Sequence, residues 1–143
     1  MISDHFRRYQ IDVVAGPTTG GIILAHEVAR QMGVRSIFAE KEDEDKRAFR
    51  RGFGIGPGEK VLIVDDILTT GKSTRQVVEL VNEQKGDIVG IGVLVNRSEE
   101  ELNFGVPLFS CLRSVTPTYK PSECPLCAAG VPLVKPGSSQ AAI

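Results

Sequence analysis

The chain has 143 residues, the size of one ordinary domain, with 17 basic and 18 acidic side chains and a net charge of -1. That balance offers no basic face to nucleic acid, and no apolar run reaches the roughly 18 to 20 residues that cross a bilayer. The opening "MISDHFRRYQ" has no apolar signal core, and three cysteines are an odd number for a secreted disulfide framework, so a cytoplasmic single domain is the expectation.

The first element is "IDVVAG" (11–16), a β-branched run ending in glycine that reads as a buried strand. After Gly20 and Gly21, "IILAHEVARQMG" places apolar residues at helical spacing until Gly33 stops it. "VRSIFAE" (34–40) reads as a second strand. The polar stretch from Lys41 to Gly58 shows no periodicity. "KVLIVDD" (60–66) is a third strand, and residues 72–85 form a helix with Val77, Val78 and Val81 on one face. "DIVGIGVLVN" (87–96) and "VPLFSCL" (106–112) are the last two strands. A core of about 10–115 then gives way to an irregular, proline- and glycine-rich arm over about 116–143, expected to fray after Gly137.

Nearly all-apolar strands alternating with helices mean an α/β domain: a parallel, Rossmann-like sheet with helices on both faces. Ligands of such sheets bind at the carboxyl ends of the strands. The turns after the first three strands therefore lie along one edge.

Residues 61–74 read "VLIVDDILTTGKST". The tail approaches the P-loop pattern G-x-x-x-x-G-K-[ST], but positions 66–73 read D-I-L-T-T-G-K-S, so Asp66 stands at the first glycine. A carboxylate inside a triphosphate cradle repels the ligand, which excludes a nucleoside triphosphatase. Residues Thr69 to Thr74 still supply consecutive backbone N–H groups and several hydroxyls at a helix start, which is an anion site. Asp65 and Asp66 come one step earlier, where the chain is expected to turn so that both carboxylates reach a ligand. Vicinal ribose hydroxyls suit such acceptors, and the implied ligand is a ribose 5-phosphate moiety. In the other reading the aspartates cap the helix and the loop is only a tight turn.

This stretch closely resembles the phosphoribosyl pyrophosphate (PRPP) signature of type I phosphoribosyltransferases. The resemblance implies that Asp65 and Asp66 bind the ribose hydroxyls, and that Thr69, Thr70, Gly71, Lys72, Ser73 and Thr74 hold the 5-phosphate. "AGPTTGGIILA" (15–25) resembles the same family's pyrophosphate loop, particularly that of the orotate enzymes, which assigns Thr18, Thr19, Gly20 and Gly21 to the diphosphate. The paired glycines let backbone N–H groups approach it. Many orotate enzymes carry a lysine in this loop, and the aligned position here is Gly20. Neutralisation of the diphosphate must then come from Mg²⁺ and from basic residues of another loop.

The segment 40–60 resembles that other loop, which in the orotate enzymes closes over PRPP, often onto the neighbouring subunit's site. By the resemblance Lys41, Lys46 and Arg47 are the catalytic cations, screening the leaving group from water and stabilising its charge. The bland alternative is a solvated charged loop, with Arg50 and Arg51 either adding to the cations or pairing with the five acids of 40–45. The segment lacks an evident apolar face and is expected to move when no ligand is bound.

"LVNRSEE" (94–100) resembles the strand exit where the orotate enzymes place an arginine on the pyrimidine, here Arg97. Its planar fork suits a carboxylate and a ring carbonyl; the alternative is a surface pair with Glu99 or Glu100. The tail "SECPLCAAGVPLVKPGS" resembles the end of one bacterial branch of the same enzymes. The hood segment that usually precedes the first strand there is expected to be missing or minimal. Cys124 and Cys127 form a C-x-x-C, half of a zinc site or an oxidisable pair, or simply two thiols in the arm.

The resemblance thus implies an orotate phosphoribosyltransferase, a glycosyltransferase that uses PRPP and Mg²⁺ and assembles as a homodimer. An adenine-type phosphoribosyltransferase and a non-catalytic PRPP-binding regulatory domain stay open beside it.

Overall fold

The computed structural model describes residues 1–43, 45–115, 117 and 119–132. In chain order its elements are α1 (Ile2–Phe6), β1 (Val13–Pro17), α2 (Gly20–Met32), β2 (Arg35–Lys41), β3 (Arg47–Phe49), β4 (Lys60–Leu68), α3 (Lys72–Glu83), β5 (Asp87–Asn96), β6 (Leu108–Arg113), a 3₁₀ turn (Pro121–Glu123) and α4 (Pro125–Ala128). The six strands form one sheet in the order β3-β2-β1-β4-β5-β6, parallel except for β3.

Side chains alternate across the strands and divide the apolar residues between two cores. Val13, Ala15, Val61 and Ile63 share one face with Val77 and Val81 of α3. Val14, Leu62 and Val64 share the other with Ala25, Val28 and Ala29 of α2 and with Ile2 and Phe6 of α1. Truncating a fully buried Leu62 or Ile63 to alanine would cost on the order of 2–5 kcal/mol. Helix α2 stops where the sequence places its stop: Gly33 takes φ 70°, and its N–H reaches back to Ala29 and Arg30.

Helix α2 carries the chain from β1 to β2 in one direction, and α3 carries it from β4 to β5 in the other. The turns after β1 and β4 therefore part, and they leave a crevice at the carboxyl ends of these neighbouring strands.

Two elements correct the sequence reading. The stretch 41–58 contains β3, which pairs antiparallel with β2 through Ala39 opposite Phe49. It also has an apolar face: Ile55 is buried, and Phe49 and Phe53 pack on the core beside α3. Helix α1 is the other addition. A Cβ on Gly90 or Gly92 of β5 would come within 2.6 Å of Phe6 or 2.7 Å of Ile2, so these glycines give α1 its seat. Within the expected arm, the 3₁₀ turn and α4 are regular; its end after Gly137 lies outside the described residues. No helix among the described residues is long and apolar enough to cross a membrane.

Candidate active site

Strand β4 does not turn at the aspartates. Its pairing with β5 runs on from Asp65 opposite Val93 to Leu68 opposite Asn96, so the carboxylates part instead of converging. This corrects the expected turn. Asp65 is 4% exposed, and its Oδ2 accepts hydrogen bonds from Ser73 Oγ (3.0 Å) and Thr74 Oγ1 (3.4 Å) of α3. Asp66 faces the other wall: a Cβ on Gly20 would lie 2.0 Å from its Oδ2. Neither carboxylate caps α3, whose N-cap is Gly71 at φ 76° without a side-chain bond.

Burial pushes the Asp65 carboxyl up to about 6, against the Ser73 hydrogen bond, which lowers it. The sign of the stability effect follows. The unfolded carboxyl titrates near 3.8, so the folded state holds the proton more tightly. Below that value the group costs nothing. Through about pH 4 to 6 the penalty grows to roughly 3 kcal/mol, and it persists above. Asp65→Asn keeps the shape and removes the charge, with its amide group turned toward the two hydroxyls. The variant should melt several degrees above the parent at pH 8 and with it near pH 4, as thermal unfolding across that range would show. A gap that does not change with pH would assign the difference to something other than this carboxylate.

After β4, Thr69, Thr70 and Gly71 lead into the first turn of α3, whose backbone N–H groups have no intrahelical partners. The segment after β5 holds this turn in place. Leu102 and Phe104 close on Gly71, and the Arg75 guanidinium lies 4.7 Å over the Phe104 ring. A cavity of about 390 Å³ opens here, lined by Thr69 to Ser73 and also by Lys41, Arg47 and Gln76. A second of about 390 Å³ is lined by Arg97, Ser98, Glu99 and Glu100, and shares Thr69 and Thr70 as its wall. Asn96 Oδ1 accepts from the Ser98 N–H and Oγ and fixes the entrance to that segment.

The loop after β1 runs Thr18-Thr19-Gly20-Gly21 into α2 with almost no clearance. A Cβ on Gly16 would meet the Gly21 carbonyl oxygen at 2.6 Å, and one on Gly21 the Pro17 ring at 2.8 Å. Arg47 reaches this loop from β3: its Nη1 donates to Thr18 O (3.3 Å), Thr18 Oγ1 (3.1 Å) and Ala39 O (3.2 Å), and its Nε to Gln76 Oε1 (3.2 Å).

The crevice therefore brings together Asp65, Asp66, the turn 69–74, the loop 18–21, Lys41 and Arg47, with Arg97 next door. Lys46 is not among them. It lines a neighbouring cavity with Glu42, Asp45, Glu79 and Glu83, of which Arg47 and Gln76 form the shared wall. Lys72 lines the cavity at the start of α3, yet its ammonium pairs with Asp45 at 2.7 Å. Arg50 and Arg51 pair with Glu42 and Glu40, the acid-pairing reading. Gln76, Leu102 and Phe104 went unread in the sequence because their roles pass through β3 and through the fold-back of 97–107. Cys124 is the N-cap of α4, three residues before Cys127, and among the described residues no cluster of three or more acids, histidines or cysteines is placed to hold a metal.

A glycine-rich cradle and a hydroxyl-rich one, facing across the switch point with acids between them, define a domain for phosphorylated sugars. The family model described as phosphoribosyl transferase domain matches residues 1–112, and the chain belongs to that family. It is 53% identical over 137 residues to the orotate phosphoribosyltransferase of Caldanaerobacter subterraneus subsp. tengcongensis, covering 96% of this chain and 72% of the relative. It is 45% identical over 132 residues to that of Thermotoga maritima, covering 92% and 70%. Among solved structures, adenine phosphoribosyltransferase from Rhodothermus marinus superposes with a TM-score of 0.68 at 23% identity, over 79% of this chain and 75% of that one. Orotate phosphoribosyltransferase from Aeropyrum pernix gives 0.61 at 24%, over 73% and 61%. At these identities the structural likeness establishes the fold.

Proposed function

We propose that the chain is an orotate phosphoribosyltransferase, transferring the phosphoribosyl group of PRPP to orotate with release of pyrophosphate, in pyrimidine nucleotide biosynthesis. The observation that carries this reading is the pair of cavities meeting at Thr69 and Thr70. One offers a helix N-terminus to a 5-phosphate and the other offers Arg97 to a planar anionic base, so C1 of the ribose would fall between them. Identities of 45–53% to orotate enzymes favour orotate over adenine as that base.

A ring nitrogen of orotate displaces pyrophosphate at C1 with inversion, through an oxocarbenium-like transition state. The protein orients the two partners and stabilises the leaving charge; no side chain acts as nucleophile. Asp66 accepts hydrogen bonds from the ribose hydroxyls, Asp65 fixes the first turn of α3 through Ser73 and Thr74, and the α3 N-terminus holds the 5-phosphate. Asp65 and Asp66 would be the acids nearest a Mg²⁺ carried by the substrate's phosphates, an ion that keeps several of its waters. Bound near Asp66, that ion would supply charge neutralisation for the diphosphate. A cytoplasmic homodimer is part of the proposal, supported by the near-neutral charge and the resemblance of segment 40–60 to a loop that closes on a neighbouring subunit.

The test is pyrophosphate release from PRPP and Mg²⁺ with orotate, uracil, adenine, guanine and hypoxanthine in turn. Release with orotate alone is expected. Release with adenine would move the chain to the purine enzymes. PRPP binding without release on any base would make it a regulatory domain.

A further inference from the structure

Residues 97–107 join β5 to β6 without helix or strand, and through Ser98, Glu99, Glu100 and Leu102 they wall the cavity that holds Arg97. Both ends of the segment are fastened to the sheet. The Arg97 N–H donates to Leu68 O at 2.7 Å, and at the far end the Ile91 N–H donates to Pro107 O at 2.8 Å. Between these points Glu99, Glu100 and Glu101 form an exposed crest. A stretch with so little buried surface keeps its position only through the few contacts beneath it.

Those contacts converge on one glycine of the other cavity. A Cβ on Gly71 would lie 3.0 Å from Phe104 Cζ and 3.1 Å from Leu102 Cδ1. Gly71 is the N-cap of α3 at φ 76°, so its conformation sets the direction of the first-turn N–H groups. Arg75 closes the circuit. Its backbone N–H donates to Gly71 O at 2.9 Å, and its Nη1 donates to Asn103 O at 3.1 Å. The same guanidinium lies 4.7 Å over the Phe104 ring. An arginine suits both tasks, because its planar fork stacks on a ring while donating in its own plane. Neither Arg75 nor Phe104 lines either cavity, so both act through the backbone they hold.

Resting on the PRPP reading above, we infer that Arg75 is a positioning residue that clasps segment 97–104 over the α3 N-terminus, with Phe104 as its platform, so that the 5-phosphate and the base bind cooperatively. A phosphate in the cradle holds Gly71 and the first turn in the geometry that receives it. Through Arg75 and Phe104 that geometry seats the segment, and the base then meets a formed pocket. Without the clasp the two elements settle independently, and each ligand organises only its own side. The linkage is reciprocal: the factor that ribose 5-phosphate gives the base is the factor that the base gives ribose 5-phosphate. A cation–π contact at an exposed site and one hydrogen bond from a charged donor set that factor at about five- to tenfold.

The experiment titrates orotate calorimetrically into the intact chain with and without saturating ribose 5-phosphate, both in Mg²⁺. It is repeated for Arg75→Met, Arg75→Lys and Phe104→Leu. The ratio of the two orotate affinities is the readout. Direct contact between the ligands is common to parent and variants, so a change in the ratio reads the clasp. The parent should show a ratio of about five to ten. Arg75→Met and Phe104→Leu should bring it to about two or below, while each ligand alone binds within about threefold of the parent. Arg75→Lys retains the charge but cannot lie flat on the ring while reaching Asn103 O, and its ratio should fall between. A parent-like ratio in Arg75→Met and Phe104→Leu would overturn the inference, as would a parent ratio of one. So would a loss confined to ribose 5-phosphate and restored by lysine, which would make Arg75 only a nearby charge for the phosphate. If Arg75→Met does not fold, Phe104→Leu carries the same comparison. A parent that binds neither ligand would bring down the PRPP reading itself, whereas a parent that binds both without coupling would remove this inference alone.

Discussion

Asp66→Asn is expected to weaken PRPP about ten- to a hundredfold in the presence of Mg²⁺ and to leave the fold intact. The amide preserves the shape of the side chain and can still accept the Ile67 N–H, which Asp66 Oδ1 does at 2.8 Å. What disappears is the charge behind the hydrogen bonds to ribose. A charge-assisted bond is worth about 1.5–3 kcal/mol, and the affinity range follows from that. Asp65→Asn should behave differently. Its carboxylate is committed to Ser73, Thr74 and the Asp66 N–H, so its effect on affinity passes through the placement of α3 and should be smaller. Calorimetric titration of PRPP into both variants separates the two. Parent-like binding by Asp66→Asn would mean that this carboxylate does not meet the ribose.

Gly20→Ala should be at least as damaging, although nothing about its helix propensity is unfavourable. The added Cβ would lie 2.0 Å from Asp66 Oδ2 and 2.3 Å from its carboxyl carbon, well inside any tolerable contact. The carboxylate has to swing away, and the methyl group then stands in the cradle. Alanine at the first position of α2 is otherwise preferred over glycine by up to about 1 kcal/mol, so thermal stability should hold or rise while PRPP affinity falls. The double variant Gly20→Ala/Asp66→Asn gives the sharper readout. If the alanine acts by displacing Asp66, the double variant binds no worse than Gly20→Ala alone. Additive losses would place the effect in the cradle backbone instead.

The strands were legible wherever burial on both sides demanded unbroken apolar residues, as in Val13 to Ala15 and Val61 to Val64. Helix α2 was legible to its last residue because Gly33 supplies a left-handed stop. What failed to show were elements stabilised from a distance. Three residues, Arg47 to Phe49, become a strand only because β2 offers an unpaired edge. The five residues of α1 hold because two glycines of β5 leave them room. In the site, residue types announced the anion cradles, but the direction of each aspartate depends on how long β4 stays paired with β5. Lys46 and Arg47, adjacent in sequence, were read alike. Strand geometry puts Arg47 on the crevice as well as on the neighbouring acidic cavity, and Lys46 on the acidic cavity alone.

The two cradles belong to neighbouring strands that are remote along the chain. Asp12, just ahead of β1, accepts the backbone N–H of Lys60, where β4 begins, across 48 residues. No local stretch can rehearse this site before the domain has formed, since closing a loop of that length precedes any contact across the crevice. Binding competence and global folding are therefore a single equilibrium. A ligand that spans the crevice recognises only the completed sheet, and each tenfold of its free concentration above Kd draws about 1.4 kcal/mol of further stability into the whole molecule.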